Sequence, residues 1–173
     1  TPILSSNADS NNPQSVDFNH QDVDFDIRFG TNPQTKMDKV SGSASVFGVG
    51  VEVKNGSPIT RQLTNNSDLD AVKITVTVPV LQILESDGDI SGSSLSLDIQ
   101  LQYNGGGFTT VHSDTIRGRT GDAYNKEYRI KLTGAHPVDV RLVKTSDDST
   151  DRVFRDLIWQ SYSELEDDTN TYP

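Results

Sequence analysis

Short runs in which every second residue is hydrophobic, separated by polar turns that often carry glycine, recur along this chain. Val23, Phe25, Ile27 and Phe29 alternate with Asp22, Asp24, Asp26 and Arg28, the pattern of a half-buried strand. From Ala44 to Val53, the side chains of Phe47, Val49, Val51 and Val53 take one face, and Val46, Gly48, Gly50 and Glu52 the other. Val72, Ile74, Val76 and Val78 alternate with Lys73, Thr75 and Thr77 and stop at Pro79, and Leu95, Leu97, Ile99, Leu101 and Tyr103 repeat the arrangement. Further strands are predicted in the segments opening at Phe108, Glu127, Val138 and Leu157. A regular strand in the last of these puts Trp159 and Tyr162 on opposite faces, with Trp159 in the core beside Leu157 and Leu165.

The punctuation between these runs is equally informative. Asn55-Gly56 offers a type I′ turn, the favoured two-residue hairpin connection. Ser86 to Gly92 and Asn104 to Gly107 supply further turns. A short helix is predicted over 150–156, with Ser149 as its cap and Asp151 in its first turn. No longer amphipathic helix is visible, so the fold class predicted is all-β. We expect an antiparallel β-sandwich, immunoglobulin-like or fibronectin-III-like, of about seven to nine strands. Residues 1–15 are rich in Asn, Ser, Asp and Pro with little to bury and are expected to form a flexible polar arm, leaving 16–173 as a single sandwich domain.

Composition narrows the function classes. A chain of 173 residues has room for one domain with a proper core, and 32% hydrophobic content suits a thin two-layer one. Its opening at Thr1 and its close at Pro173, directly after a strand-like pattern, suggest a piece of a longer polypeptide. The formal charge of −10, with dispersed Lys and Arg, argues against nucleic acid as the main partner. No run of about 18 apolar residues is present, so no membrane insertion by a helix of this chain is expected. The absence of cysteine removes disulfides, thiolate metal sites and cysteine nucleophiles.

Candidate chemistry is sparse. Asp87 and Asp89 flank Gly88 like the start of a calcium loop, but the distal Glu of that loop is missing and Asp-Gly is also a preferred hairpin turn. Asp147, Asp148 and Asp151 form a second acidic turn of the same ambiguity. Asp22, Asp24 and Asp26 share one strand face, either as a solvated edge that discourages sheet pairing or as calcium ligands. His20, His112 and His136 lack the spacing of zinc hydrolases, no GxSxG elbow occurs, and the NGGG at Asn104 lacks the Lys-Ser/Thr of a phosphate loop. We therefore assign no catalytic residue and no cofactor, and read the protein as not an enzyme. Arg117 and Arg119, close to Gly118 and Gly121, are candidate contacts to an acidic neighbour or a phosphate, or else pair with the surplus carboxylates of the domain. Tyr162 is a third candidate partner contact. An alternative class is a carbohydrate-binding or adhesin-type module, using Tyr162, Tyr103 or Tyr124 to stack on sugars, with calcium assistance.

One segment carries a family resemblance. From Pro137 to Asp167 an alternating strand (Val138, Val140, Arg141, Val143) leads through a Ser149-Thr150 turn to Trp159, Ser161, Tyr162, Ser163 and Glu164. This resembles the tail tip attachment protein J, or host specificity protein, family of lambda-like bacteriophages. The likeness extends upstream through Arg28–Gly30, Asn55–Leu63, Asp70–Leu81 and Ile116–Tyr124, covering the chain from Phe25 to Pro173. It implies a β-rich insertion domain in the hub region of a virion tail tip, synthesised in the host cytoplasm. Its implied partners are other tail-tip proteins and the rest of its own polypeptide, in a trimeric setting around the tail axis. Contact with a host receptor would come through the parent protein.

Overall fold

The computed structural model describes residues 41–64 and 66–167. The arm predicted over 1–15, the strand containing Asp22, Asp24 and Asp26, and His20 lie outside the described residues. Eleven strands follow in order: β1 (Ser41–Glu52), β2 (Ile59–Gln62), β3 (Ala71–Val78), β4 (Leu81–Leu84), β5 (Ile90–Ser91), β6 (Ser93–Tyr103), β7 (Thr109–Gly118), β8 (Tyr124–Lys131), β9 (Val138–Lys144), β10 (Val153–Arg155) and β11 (Ile158–Asp167). All pair antiparallel, in two four-stranded sheets ordered β1-β11-β3-β8 and β2-β9-β6-β7 and a small sheet β10-β4-β5. The all-β sandwich read from the alternation is the fold. Its strand count exceeds the expectation because Pro79, which has no N–H to give a ladder, separates β3 from β4, Gly92 separates β5 from β6, and 153–155 is extended.

The period-two faces close on one another as the sequence predicts. Val72, Ile74, Val76 and Val78 of β3, Leu95, Leu97 and Ile99 of β6, and Val138, Val140 and Leu142 of β9 are each 0% exposed and belong to one cluster. Burying each such side chain stabilises by about 1.5 to 3 kcal/mol relative to leaving it in water. Phe47 and Val49 of β1 pack against the rim of this cluster, while Val46 on the other face is 69% exposed.

Three local expectations are corrected. The β3-facing register of β11 slips between Trp159 and Ser161, so Trp159 pairs with Val76 and Tyr162 with Ile74. One extra residue on the bulged strand thereby turns both aromatic rings to the same face. Trp159 is fully buried with Leu157, Tyr162 is buried beside it, and Leu165 is buried outside that cluster. The predicted helix at 150–156 is absent. Thr150 Oγ1 accepts from the amides of Arg152 and Val153, Thr150 N donates to Val153 O (2.8 Å), and β10 then pairs with β4. Ser149 Oγ caps this loop by accepting from Arg155 N at 2.8 Å. The type I′ geometry belongs to Asn104-Gly105, where φ is +47° and +69° and Gly106 N donates to Tyr103 O at 2.9 Å. At Asn55-Gly56 only Gly56 has positive φ (+72°), as in a type II turn.

The first and last described strands are neighbours throughout their length, with Ser41 opposite Asp167 at one end and Glu52 opposite Ile158 at the other.

Candidate partner-contact surface

The end of β7 carries the two arginines singled out from the sequence. Ser93 of β6 pairs with Gly118 of β7, and Gly92 lies so close to this pair that a Cβ there would meet the Gly118 carbonyl oxygen at 3.2 Å. Beyond Gly118 the chain pairs with the start of β4, through reciprocal 2.9 Å hydrogen bonds between Thr120 and Leu81. That junction sets the small sheet beside the β6–β7 end, and an open groove of about 470 Å³ lies between them. Arg117 and Gly118 line it from β7, Ser93 and Ser94 from β6, Ile83 from β4, and Val153 and Arg155 from β10. Arg119 is not part of this lining; its Nη1 donates to Ile90 O at 3.1 Å and helps hold β5 in place. Arg155, which sequence reasoning missed, enters the groove only because 153–155 is a strand paired with β4.

Tyr162 is a correction. It is 7% exposed, stacked on Phe47 with ring centroids 5.0 Å apart and tilted against Trp159 at 6.2 Å, so it faces the core and not a partner. Burial, then the neighbouring charge of Glu164, raises its phenol above the ordinary range. Asp87 and Asp89 sit in the β4–β5 turn. Gly88 there has φ +95°, Glu85 N donates to Asp89 O at 2.8 Å, and the Asp87 carboxylate accepts from Asp89 N at 3.1 Å. Among the described residues, no group of three or more His, Asp or Glu side chains converges as a metal site would require.

Two polar clusters that the sequence did not disclose tie the scaffold together. β7 and β8 are edge strands of opposite sheets, and across that open side Asp114 Oδ2 accepts from Lys126 Nζ and from Tyr128 Oη, both at 2.7 Å. His112 lies against the Tyr128 ring at 5.2 Å. Burial pushes the Asp114 carboxyl up, but the hydrogen bonds from Lys126 and Tyr128 outweigh it and leave the group below its ordinary value. The same burial, with the facing Asp114, drives the Tyr128 phenol far upward. The second cluster holds a buried lysine. Lys144 has a side chain 0% exposed, and its Nζ reaches Asp148 Oδ1 at 2.9 Å, an atom that also accepts from Asn55 N at 3.0 Å. The outer face of the β6–β9 pair carries Arg141, which forks onto Gln100 Oε1 and lies 3.7 Å over the Phe108 ring.

The all-β sandwich agrees with a family assignment made on sequence. The model of the FNIII-A domain of tip attachment protein J matches residues 43–168. The chain belongs to that family. Relatives of this FNIII-A domain include the tip attachment protein J of Escherichia phage SECphi27, 29% identical over 157 residues and 90% of this chain. The tip attachment protein J of Escherichia phage SECphi4 is 30% identical over 178 aligned positions covering 100% of the chain. The FNIII-A chain spans 13% and 15% of the lengths of these two relatives. Among solved structures it aligns with the CBM22-1 xylan-binding domain of Paenibacillus barcinonensis Xyn10C, at a TM-score of 0.40 and 11% identity, covering 74% of this chain and 85% of that one.

Proposed function

We propose that this FNIII-A domain is a non-enzymatic structural module of a phage or prophage tail tip, part of a central hub that takes part in tail assembly and host attachment. Its role is geometric: a rigid sandwich presents loops and sheet edges to neighbouring tail proteins, in a trimeric setting around the tail axis, while the parent polypeptide carries host recognition. The observation that carries this reading is the family match across residues 43–168, nearly the whole of the described sandwich. The distribution of side chains supports it. Tyr128, Trp159 and Tyr162 are spent on the core, Tyr103 and Tyr124 are partly buried against it, and Phe108 lies under Arg141, which leaves these rings less open face for stacking on sugars.

Chemical cross-linking of intact virions with mass-spectrometric readout tests the proposal. The expected result is cross-links from exposed lysines of the sandwich, such as Lys54 and Lys131, to other tail-tip proteins. Virions that assemble and infect normally after in-frame removal of Ser41–Asp167, with no such cross-links in the parent phage, would remove the role. Specific glycan binding by the chain at micromolar strength, with or without calcium, would replace it with the carbohydrate-binding reading.

A further inference from the structure

We infer that the groove between the small sheet and the β6–β7 end binds the carboxylate of an acidic segment of a neighbouring protein chain, gripped by the guanidinium groups of Arg117 and Arg155. The inference rests on the docking role proposed above and gives that role a chemistry.

Two cations from different sheets line this one groove of about 470 Å³. The chain has a formal charge of −10, so carboxylates are abundant, yet among the described residues neither arginine is closely paired with one. The Arg117 guanidinium makes no hydrogen bond or ion pair among the described residues. Arg155 has Asp147 4.0 Å from its Nη2, at the outer limit of an ion pair and on a side chain 87% exposed, and its Nε is buried without a hydrogen-bond partner. The Arg155 side chain is 21% exposed, so packing restricts its orientation before any ligand arrives. A guanidinium held in that way has its donor fork arranged for a planar oxyanion at reduced entropic cost.

The walls select among oxyanions. Ile83 and Val153 supply apolar sides for the stem of a Glu or Asp, and Ser94 adds a hydroxyl-bearing residue at the rim. A free-standing polyanion would bring many like charges against a chain of formal net charge −10, whereas an acidic side chain on a docked protein brings one or two to the place where the arginines offset them.

The test is a titration of the 173-residue chain, followed by amide chemical shifts. The probes are a capped Leu-Glu-Glu-Leu tetrapeptide, its Leu-Gln-Gln-Leu counterpart, inorganic phosphate and a sulfated oligosaccharide. The Glu peptide is expected to shift the amides of Gly92, Ser94, Gly118 and Val153 saturably, and to weaken with added salt. Replacing Glu by Gln, or making Arg117→Gln, should weaken binding about tenfold. Arg155→Lys, which keeps the charge and loses the fork, should weaken it severalfold. Lys131→Gln, an equal charge change outside the groove, should leave it unchanged. Equal shifts from the Glu and Gln peptides, no effect of Arg117→Gln, or an equal loss in Lys131→Gln would overturn the site. Saturation of the same amides by phosphate or the sulfated oligosaccharide in preference to the Glu peptide would overturn the choice of a protein carboxylate. A failed titration leaves the virion cross-linking test standing, because that experiment reads the position of the domain and not the groove.

Discussion

Removing the Asp148 carboxylate should cost far more than removing the lysine it serves. Lys144 lies on the core face of β9 with a fully buried side chain, and Asp148 Oδ1 accepts from both its ammonium and the Asn55 amide. In Asp148→Ala a buried ammonium loses its counter-charge, a loss of about 3 to 5 kcal/mol when the site is sealed. Asp148 is 43% exposed, so water reaches the vacated position and the lower part of that range applies. Adding about 1 kcal/mol for the bond from Asn55 gives a total near 4 kcal/mol. With a urea slope of about 2 kcal/mol per molar for a domain of this size, the unfolding midpoint falls by about 2 M. Lys144→Met fills the same apolar space without a charge and should lie within about 1 kcal/mol of the parent, in either direction. The double variant should recover most of the loss, leaving roughly the Asn55 bond. Urea unfolding followed by Trp159 emission checks all three. Equal losses in Lys144→Met and Asp148→Ala, or no recovery in the double variant, would refute the reasoning. The pH dependence has a defined sign. The Asn55 amide first and Lys144 second hold the Asp148 carboxyl below its ordinary 3.8, so this stability is present above 3.8 and is lost as pH falls through the depressed folded value. Asp148→Asn should lack that component of the acid loss.

Other consequences follow from the packing. Tyr128→Phe removes the phenol bond to Asp114 and should cost about 1 to 2 kcal/mol in thermal or urea unfolding. The Tyr128 phenol is raised above its ordinary 10.0 by burial and by Asp114, so its contribution is full below pH 10.0 and is lost as pH rises through the folded value. An alkaline absorbance titration should therefore lose its latest tyrosine step in Tyr128→Phe. Gly134→Ala places a methyl group into the Tyr103 ring, whose hydroxyl accepts from Thr133 N at 3.1 Å, and should destabilise by about 1 to 3 kcal/mol, measured by the urea midpoint. Trp159, the sole tryptophan, is 0% exposed, so its emission should shift to the red together with loss of the far-ultraviolet β signal, and Trp159→Ala should cost about 3 to 5 kcal/mol.

The sandwich was legible because alternation is local and survives intact in strands such as Ala71–Val78 and Val138–Lys144. The same alternation carries Lys144 to the inward face with Val138, Val140 and Leu142, a buried charge that the sequence reading did not single out. What was illegible depends on pairing between distant segments. The bulge near Gln160 leaves a normal-looking alternation on either side, so nothing local reveals that Tyr162 turns inward. The Ser149 cap signal is real, but it serves a loop whose next residues pair with Leu81–Ile83, and that tertiary ladder overrides a weak helical preference. Arg155 joins Arg117 only through the same pairing, which is why one half of the groove was visible in the sequence and the other was not. The two Asn-Gly pairs are identical as dipeptides, and only the one joining the long strands β6 and β7 takes the twist-matched turn.

The opposition of Ser41 and Asp167 has a mechanical meaning. A domain entered and left at adjacent points can be spliced into a larger polypeptide as though it were a loop, with little change in the separation of the flanking segments. Tension on those two points pulls antiparallel neighbours apart from one end, so their hydrogen bonds yield in succession, as in a zipper, and do not resist together in shear.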